Sequence, residues 1–266
     1  MNCPTTELTA SRARARSRLC LHQAAPGARD VPVLPDNVDV VPYRSSGLTL
    51  NAYLQGVDAA SNSRPAVLYS HGGCALSQEH FESAQRFVDA GFIVLSPTYR
   101  GEHHNPGSYE LFLGEVEDAY AAVSLLAHHR LVDAQRIYAF GYSMGGEIAA
   151  LLSLFDDLPI RRTASCGPFF LRSRPFSSKS MYGAPVTFDS SNPEDVRVRL
   201  LRYHIRDMVV GHTAFVGRND DKFADGYWRQ LDTAGSALTI TEVEGTHDTS
   251  LPLAIKAFLH EIQCTT

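Results

Sequence analysis

The chain has 266 residues, of which 44% are hydrophobic and 20% charged, and this composition is sufficient for a globular protein with a large core. Its formal net charge of −5 argues against a nucleic-acid partner, because nucleic-acid-binding domains usually carry a clustered basic face. No apolar run reaches the ~18 residues of a membrane-spanning helix. The five cysteines are scattered, which disfavours a disulfide framework or a structural zinc site and favours a cytoplasmic location.

The N-terminal residues are more basic than the rest of the chain. Four arginines lie close together there: Arg12, Arg14, Arg16 and Arg18. This composition predicts a flexible, solvated leader over residues 1–35, followed by one domain over residues 36–266. The leader lacks the apolar region of a secretory signal, so targeting to an organelle is the alternative to a cytoplasmic location.

Apolar periodicity predicts alternating strands and helices over most of the chain. Strands are predicted at 38–43, 48–54, 66–70, 92–96, 137–140, 163–166, 213–217 and 238–243, and helices at 81–90, 111–129, 146–155, near 225–232 and around 255–262. The middle strands are continuous apolar runs, which is typical of strands buried on both faces. We therefore expect an α/β fold with a mostly parallel central sheet, helices on both faces and an antiparallel N-terminal hairpin at one edge.

One long segment breaks this alternation. Residues 167–211 contain no clear strand but several aromatic side chains, and we expect a short lid-like insertion at about 168–211 beside the functional site. Residues 171–206 carry seven basic and three acidic side chains. Two interpretations of that charge remain open: a solvated surface, or a wall that attracts an anionic substrate.

A serine flanked by glycines connects a predicted strand to a predicted helix. Residues 141–145, GYSMG, match the G-x-S-x-G pattern in that context. A sharp strand-to-helix turn holds such a serine in a strained conformation, and side chains at the flanking glycines would strike the neighbouring elements. The helix N-terminus favours negative charge at the same point. The pattern therefore predicts that Ser143 is a nucleophile.

A serine nucleophile needs a general base and a carboxylate that orients the base. Both should follow later strands of the sheet, at the same edge as Ser143. Asp220 and His247 follow the last two predicted strands, in the chain order typical of this motif. We predict His247 as the general base and Asp220 as its orienting acid, with Asp221 as the alternative acid.

An oxyanion hole needs two backbone N–H groups that face the same point. The N–H of Met144, directly after the nucleophile, is the first candidate. The second should come from the loop that follows the strand 66–70 and reads HGGC. Glycine lets the backbone approach a substrate closely, so we predict the N–H of Gly73, with Cys74 as the alternative.

Tyr142, Arg100 and Cys74 are candidates for contacts with the substrate. Arg100 could bind a substrate carboxylate, but a structural ion pair with a neighbouring acid is the favoured interpretation. Cys74 is not expected to act as a second nucleophile, because no base is paired with it in the sequence. The pair His103 and His104 lacks the spacing of metal ligands and is expected on the loop surface, so neither a metal nor another cofactor is predicted.

Four segments together resemble the landmarks of α/β-hydrolases: HGGC, GYSMGG, the aspartate of VGRND and the histidine of EGTH. The resemblance covers about residues 38–262. Within that superfamily, SPTYRGEHH resembles a segment of prolyl oligopeptidase-type catalytic domains, and dienelactone hydrolase-like enzymes are similar too. The resemblance implies hydrolysis of a small-molecule substrate through an acyl-enzyme.

Differences between this sequence and those relatives rank the expected activities. We expect no room for the propeller domain that usually accompanies the peptidases, and Met144 stands where they favour tyrosine. Ser143 stands where dienelactone hydrolases often have cysteine. Hydrolysis of a carboxylic ester or small amide is therefore the first expectation and a small peptidase the second. An acyltransferase on the same triad is a third possibility and a non-catalytic binding module a remote fourth, and the sequence does not predict the oligomeric state.

Overall fold

The computed structural model describes residues 4–27, 31–57, 62–176, 180–181 and 184–264. Within these ranges the chain forms ten strands and six α-helices, connected by loops and short 3₁₀ turns. The strands are β1 (Val38–Ser45), β2 (Leu48–Gln55), β3 (Arg64–Ser70), β4 (Ile93–Pro97), β5 (Val132–Tyr142), β6 (Ile160–Cys166), β7 (Ser180–Met181), β8 (Ala184–Pro185), β9 (His212–Gly217) and β10 (Leu238–Val243). The helices are α1 (Pro4–Arg16), α2 (Gln78–Asp89), α3 (Gly114–Ala127), α4 (Met144–Leu152), α5 (Pro193–Arg197) and α6 (Leu251–Cys264).

Eight of the strands form one sheet in the order β1-β2-β4-β3-β5-β6-β9-β10. The strand β2 runs antiparallel to both of its neighbours, β1 and β4, whereas every other adjacent pair in this sheet is parallel. The strands β7 and β8 pair separately, within the predicted insertion. The expectation of a mostly parallel sheet with an antiparallel N-terminal hairpin at one edge is therefore confirmed.

Alternating residues of the central strands supply two cores, one on each face of the sheet. In β3, Ala66 and Leu68 join the core that includes α3 and α4, whereas Val67 and Tyr69 join the core that includes α2 and α6. All four side chains are fully buried. Because helices cover both faces, the loops that follow the parallel strands are the natural place for a site.

Two predicted helices differ from the structure. The helix predicted at 111–129 begins only at Gly114, because Leu111 and Phe112 have φ angles of 56° and 67°, which an α-helix cannot contain. In place of a helix near 225–232 the chain forms two 3₁₀ turns, Asp221–Phe223 and Tyr227–Gln230. Gly226 precedes the second turn with a φ of 65° and so prevents a continuous helix. Apolar spacing does not reveal such left-handed residues.

The N-terminal segment packs against the domain over residues 4–27. Arg12 is only 4% exposed and donates hydrogen bonds of 2.6 to 2.8 Å to the carbonyls of Phe112, Leu113 and Val198. This arrangement differs from the expected solvated leader. The acceptors are the carbonyls of Phe112 and Leu113, just before α3, and of Val198, just after α5, and the composition of the leader does not reveal them.

The predicted insertion at about 168–211 contains the hairpin of β7 and β8, the helix α5 and three 3₁₀ turns in its described part. Its first residues, Phe169 to Leu171, are buried against the domain. The division into a leader over 1–35, a domain over 36–266 and this insertion stays a prediction. Residues 1–3 and 28–30 of the leader and 177–179 and 182–183 of the insertion lie outside the described residues.

Candidate active site

The parallel strands bring the predicted residues to one edge of the sheet. Strands β3, β5, β6, β9 and β10 are consecutive neighbours there, and all run in the same direction. Ser143 follows β5, Asp220 follows β9 and His247 follows β10. Because the carboxyl ends of parallel strands meet at one edge, three distant segments of the chain converge on one place.

The backbone of Ser143 has the strained conformation that its motif predicts. Its φ and ψ angles are 53° and −108°, which is uncommon for a residue with a side chain. Its N–H donates to the carbonyl of Cys166 at 2.8 Å and ties the turn to β6. The residue directly precedes α4, whose first N–H groups have no partner within the helix and favour negative charge at the serine.

The two glycines that flank the serine lie where a side chain has no room. A Cβ atom on Gly141 would lie 2.0 Å from the carbonyl oxygen of Gly145. A Cβ atom on Gly145 would lie 2.1 Å from the carbonyl oxygen of Ser70, at the end of β3. Both neighbours are backbone atoms, which cannot rotate away. The glycines therefore permit the close contact between the turn, α4 and β3.

Ser143, His247 and Asp220 form a connected set of hydrogen bonds. The His247 Nε2 atom lies 3.0 Å from Ser143 Oγ, and His247 Nδ1 lies 2.6 Å from Asp220 Oδ2. If Asp220 is ionised, Nδ1 carries the proton and donates to it, which leaves Nε2 to accept from the serine hydroxyl. All three residues are buried.

Two donors hold the carboxylate of Asp220. Its Oδ2 atom accepts from His247, and its Oδ1 atom accepts from the backbone N–H of Lys222 at 3.0 Å. Burial raises the pKa of this carboxyl, but the hydrogen bonds and the charge of His247 outweigh burial, so the pKa lies below its ordinary value. Asp221 is exposed, in the 3₁₀ turn that Asp220 caps. The geometry favours Asp220 over Asp221 as the partner of His247.

Tyr142 and Gly167 position the imidazole of His247. The Tyr142 ring packs against it with 5.2 Å between the ring centroids, and the Tyr142 hydroxyl donates to Asp248 Oδ1 at 2.5 Å. A Cβ atom on Gly167, at the end of β6, would lie 2.7 Å from the His247 ring. Tyr142 thus supports the predicted base, and its contact with a substrate stays a prediction.

Two buried histidines hold the glycine loop that follows β3. His71 Nε2 lies 3.2 Å from Glu102 Oε2; burial opposes the charge on this imidazole, but the carboxylate outweighs burial and raises the pKa of His71. The N–H of Gly72 donates to His80 Nε2 at 3.1 Å. Burial and the nearby His71 lower the pKa of His80 to about 3, so His80 stays neutral and can accept this bond. The loop then turns at Gly73, with a φ of 66°.

Cys74 and Met144 contact each other beside this loop. Their sulfur atoms are 3.6 Å apart, and Cys74 Sγ is 3.5 Å from the hydroxyl of Tyr109. Burial raises the pKa of the Cys74 thiol to about 11, which makes it a poor nucleophile. As the first residue of α4, Met144 has an N–H without a partner in the helix. The roles of Met144 and Gly73, or Cys74, in an oxyanion hole stay predictions.

Arg100 takes part in buried ion pairs, as the favoured interpretation of the sequence expects. Its guanidinium contacts Asp118 Oδ1 at 2.7 Å and Glu110 Oε1 at 3.0 Å. Arg100 is 4% exposed and Asp118 is completely buried. The two acids occupy the guanidinium at the start of α3, so this geometry disfavours a contact between Arg100 and a substrate.

The histidine pair after Arg100 is divided between core and surface. His104 is exposed, but His103, which was also expected on the surface, is buried with its Nε2 atom 2.8 Å from the carbonyl of Leu76.

Among the described residues there is no group of three or more His, Cys, Asp or Glu side chains that could hold a metal ion. In the same part of the chain, no helix combines the length and apolar character needed to cross a membrane.

Sequence reasoning assigned no role to two charged residues near Ser143. Arg172, in the insertion, places its Nη2 atom 3.5 Å from Ser143 Oγ. Glu147, in α4, is fully buried and accepts from the N–H groups of Phe170 at 2.6 Å and Leu201 at 2.8 Å, and burial raises its pKa to about 8. The sequence does mark Glu147 as unusual, because it is the only charged residue in the apolar helix MGGEIAALL. Arg172 had no signal beyond the basic composition of its segment.

Comparisons with known proteins place this geometry in context. The family model BD-FAE matches residues 51–165, which include the glycine loop and the turn at Ser143. The uncharacterised peptidase YtmA of Bacillus subtilis is 31% identical over 113 residues, which are 42% of this chain and 44% of that protein. An uncharacterised protein of Mycobacterium tuberculosis is 33% identical over 163 residues, which are 60% of this chain and 54% of that protein. The chain thus spans about half the length of the curated relatives it matches.

Solved structures with the same architecture include esterases and peptidases. A hyperthermophilic esterase from the archaeon Pyrobaculum calidifontis has a TM-score of 0.67 and 17% identity, with 100% of this chain and 94% of that chain covered. A puromycin-hydrolysing peptidase of Mycobacterium tuberculosis has a TM-score of 0.66 and 17% identity, with 84% of this chain and 38% of that chain covered. At this identity the likeness establishes the fold.

Proposed function

We propose that this chain, which has the α/β-hydrolase fold, hydrolyses carboxylic esters through an acyl-enzyme on Ser143. The observation that carries this proposal is the pair of contacts made by His247, 3.0 Å to Ser143 Oγ and 2.6 Å to Asp220 Oδ2. A hydroxyl within reach of a neutral imidazole, itself oriented by a carboxylate, is the arrangement that activates serine for attack.

In the first half of the reaction, Ser143 Oγ attacks the ester carbonyl and His247 Nε2 takes its proton. The carboxylate of Asp220 keeps the other ring nitrogen protonated and stabilises the imidazolium that forms. His247 then gives the proton to the departing alcohol, and the acyl group stays on the serine. The strained turn at Ser143 keeps Oγ in place for this attack, which limits the entropy lost in the transition state.

The carbonyl oxygen becomes negative during attack and needs two N–H donors. In this proposal they are the N–H of Met144, at the start of α4, and the N–H of Gly73, in the loop that His71 and His80 hold. The helix N-terminus adds favourable electrostatics at the same point. A water molecule that His247 activates then releases the acid and restores Ser143.

Small peptides or aminoacyl amides are the second candidate substrates. The relatives that favour this class are the Bacillus subtilis peptidase and the puromycin-hydrolysing peptidase, both named as peptidases. The same triad could cleave an amide, provided that His247 protonates the amine that leaves.

A cytoplasmic location, suggested by the scattered cysteines, also belongs to this proposal.

The proposal is tested by replacing the nucleophile. With p-nitrophenyl butyrate as substrate, Ser143→Ala should lower kcat by at least about 10³-fold and abolish covalent labelling by a fluorophosphonate probe. Ser173→Ala, at an exposed serine of the insertion, is the matched control and should keep the wild-type kcat and the labelling by the probe. Thermal unfolding of the variants verifies that the fold survives. Turnover that persists in folded Ser143→Ala protein would contradict the proposal.

A short substrate panel separates ester hydrolysis from peptide cleavage, acyl transfer and binding alone. Aminoacyl p-nitroanilides cleaved at a higher kcat/KM than matched aminoacyl esters would favour the peptidase, since amides are the less reactive compounds. Product analysis with added alcohols detects acyl transfer as a new ester. If the folded wild-type protein neither turns over these compounds nor reacts with the probe, it is a binding module rather than a hydrolase.

A further inference from the structure

The insertion brings a cation into contact with the predicted nucleophile. Arg172 directly follows the 3₁₀ turn Phe169–Leu171, and its Nη2 atom lies 3.5 Å from Ser143 Oγ. At this length a neutral hydroxyl is a weaker acceptor than a carboxylate, which binds a guanidinium through two shorter, charge-assisted bonds. The mechanism proposed above assigns no role to this arginine.

Neighbouring groups fix the guanidinium of Arg172 in position. Its central carbon lies 3.8 Å from the ring centroid of Phe169 and 6.0 Å from that of Phe223, distances at which a cation and an aromatic ring attract each other. Arg202 donates hydrogen bonds to the carbonyls of Phe169 and Arg172 and so holds the backbone of this segment. A guanidinium held in this way loses little side-chain entropy when a ligand binds.

A second cation, Lys222, lies close to Arg172. After burial, the positive charge of Arg172 is the largest cause of the lowered pKa of this lysine. The carboxylates of Asp220, Asp248 and Asp221 raise that pKa and so offset part of the positive charge. A substrate carboxylate placed against the Arg172 guanidinium, beside Ser143 Oγ, would contact one cation directly and have a second one nearby.

We propose that Arg172 binds a carboxylate of the substrate, so that the site prefers esters that carry an anionic group close to the scissile carbonyl over neutral esters of the same shape. The inference rests on the proposed function. The scissile carbon bonds to Ser143 Oγ during the reaction, which leaves the Arg172 guanidinium within reach of a carboxylate roughly two to four bonds from that carbon. Substrates of this class are half-esters of short dicarboxylic acids and esters whose alcohol carries a carboxylate.

Two matched substrate pairs test the preference and show on which side of the ester the anion lies. Mono-p-nitrophenyl glutarate against p-nitrophenyl pentanoate places the charge on the acyl side. In the second pair, phenyl acetate is compared with a phenyl acetate that carries a carboxylate on its ring, which places the negative charge on the alcohol side of the ester. In at least one pair, the wild-type protein should favour the anionic ester by about 10-fold or more in kcat/KM, and this advantage should decrease as salt is added. Equal kcat/KM values in both pairs would overturn the proposal.

Variants of Arg172 separate substrate binding from a structural role. Arg172→Gln should lower the anionic-to-neutral ratio of kcat/KM by about 10-fold or more, mainly through KM, and Arg172→Lys should restore part of it. A purely structural role would lower both rates of a pair in proportion and leave the ratio unchanged, which would refute the assignment. Arg174→Gln, at an exposed arginine two residues further along the chain, is the control and should keep the wild-type ratio.

Ligand binding without turnover distinguishes failure of this inference from failure of the proposed function. Glutarate should raise the Tm of the Ser143→Ala protein more than the neutral pentanamide does, and adding Arg172→Gln should remove the difference. If no ester is hydrolysed but glutarate still binds through Arg172, the hydrolase proposal fails and the anion site stands. If esters are hydrolysed through Ser143 but glutarate and pentanamide have equal effects, the anion site fails alone.

Discussion

The turn at residues 141–145 and the N-terminal segment at residues 4–27 are both packed tightly on the domain, but for different physical reasons. In the turn, contacts with adjacent elements leave no space for a Cβ atom: 2.0 Å at Gly141 and 2.1 Å at Gly145. In the N-terminal segment, Arg12 reaches the carbonyls of Phe112 and Val198, which lie 100 and 186 residues away in the chain.

This difference explains why the turn was predicted and the N-terminal packing was not. A steric requirement on the backbone leaves a local pattern, and five adjacent residues are enough to recognise it. A cation that pairs with distant carbonyls leaves no local pattern, because neither its partner nor its burial is encoded near it in the chain. The contrast also predicts where substitutions act. Changes to the polar side chains at the sheet edge should lower kcat, whereas a methyl group added in the turn, or a change in the N-terminal segment, should lower stability.

Among substitutions that keep Ser143, the largest effect is expected at Asp220, the proposed partner of His247. Asp220→Asn should lower kcat by about 10⁴-fold on p-nitrophenyl butyrate. The Oδ1 position accepts from the N–H of Lys222, so the asparagine NH₂ takes the Oδ2 position and donates to His247 Nδ1. The imidazole proton then lies on Nε2, which can no longer accept from Ser143. Asp221→Asn, the neighbouring exposed acid, should change kcat by less than about 3-fold. Steady-state kinetics of the two variants checks this, and similar losses in both would show that the acid has been assigned wrongly.

A smaller but still large effect is expected from a methyl group in the turn. Gly145→Ala places a Cβ atom 2.1 Å from the carbonyl oxygen of Ser70, so β3 and α4 must separate, and we expect the free energy of unfolding to fall by about 3 kcal/mol or more. Gly91→Ala, with a φ of 92° and open space around the new methyl, should cost only about 1–2 kcal/mol of backbone strain. Urea unfolding measures both, and equal losses would show that a small shift of the backbone relieves the contact at Gly145.

The limits of prediction from this sequence follow the same division. The sheet was predictable because buried strands have a local signature. The meeting of Ser143, Asp220 and His247 at one edge was predictable too, because the turn at 141–145 has a local pattern, and the catalytic roles of these residues stay predictions. The late start of α3 was not, because nothing in the apolar spacing marks Leu111 as left-handed. The contact between Arg172 and the serine was not predictable either, since it depends on how an irregular segment folds back over the sheet edge.

The smallest effect, confined to stability, is expected at Arg12. Burial lowers the pKa of this guanidinium to about 10, so its charge opposes folding, but its three short hydrogen bonds to carbonyls offset that cost. Arg12→Met removes both the charge and the hydrogen bonds and leaves buried carbonyls without donors. We expect the free energy of unfolding to fall by about 2 kcal/mol. Arg14→Gln breaks two solvent-exposed contacts, the ion pair with Glu194 and a hydrogen bond to the Ser11 hydroxyl, and should change the free energy of unfolding by less than about 0.5 kcal/mol. Urea unfolding of both variants, with kcat measured on the folded protein, tests the separation: a large loss of kcat in stable Arg12→Met protein would mean that the N-terminal segment affects the chemistry as well as the stability.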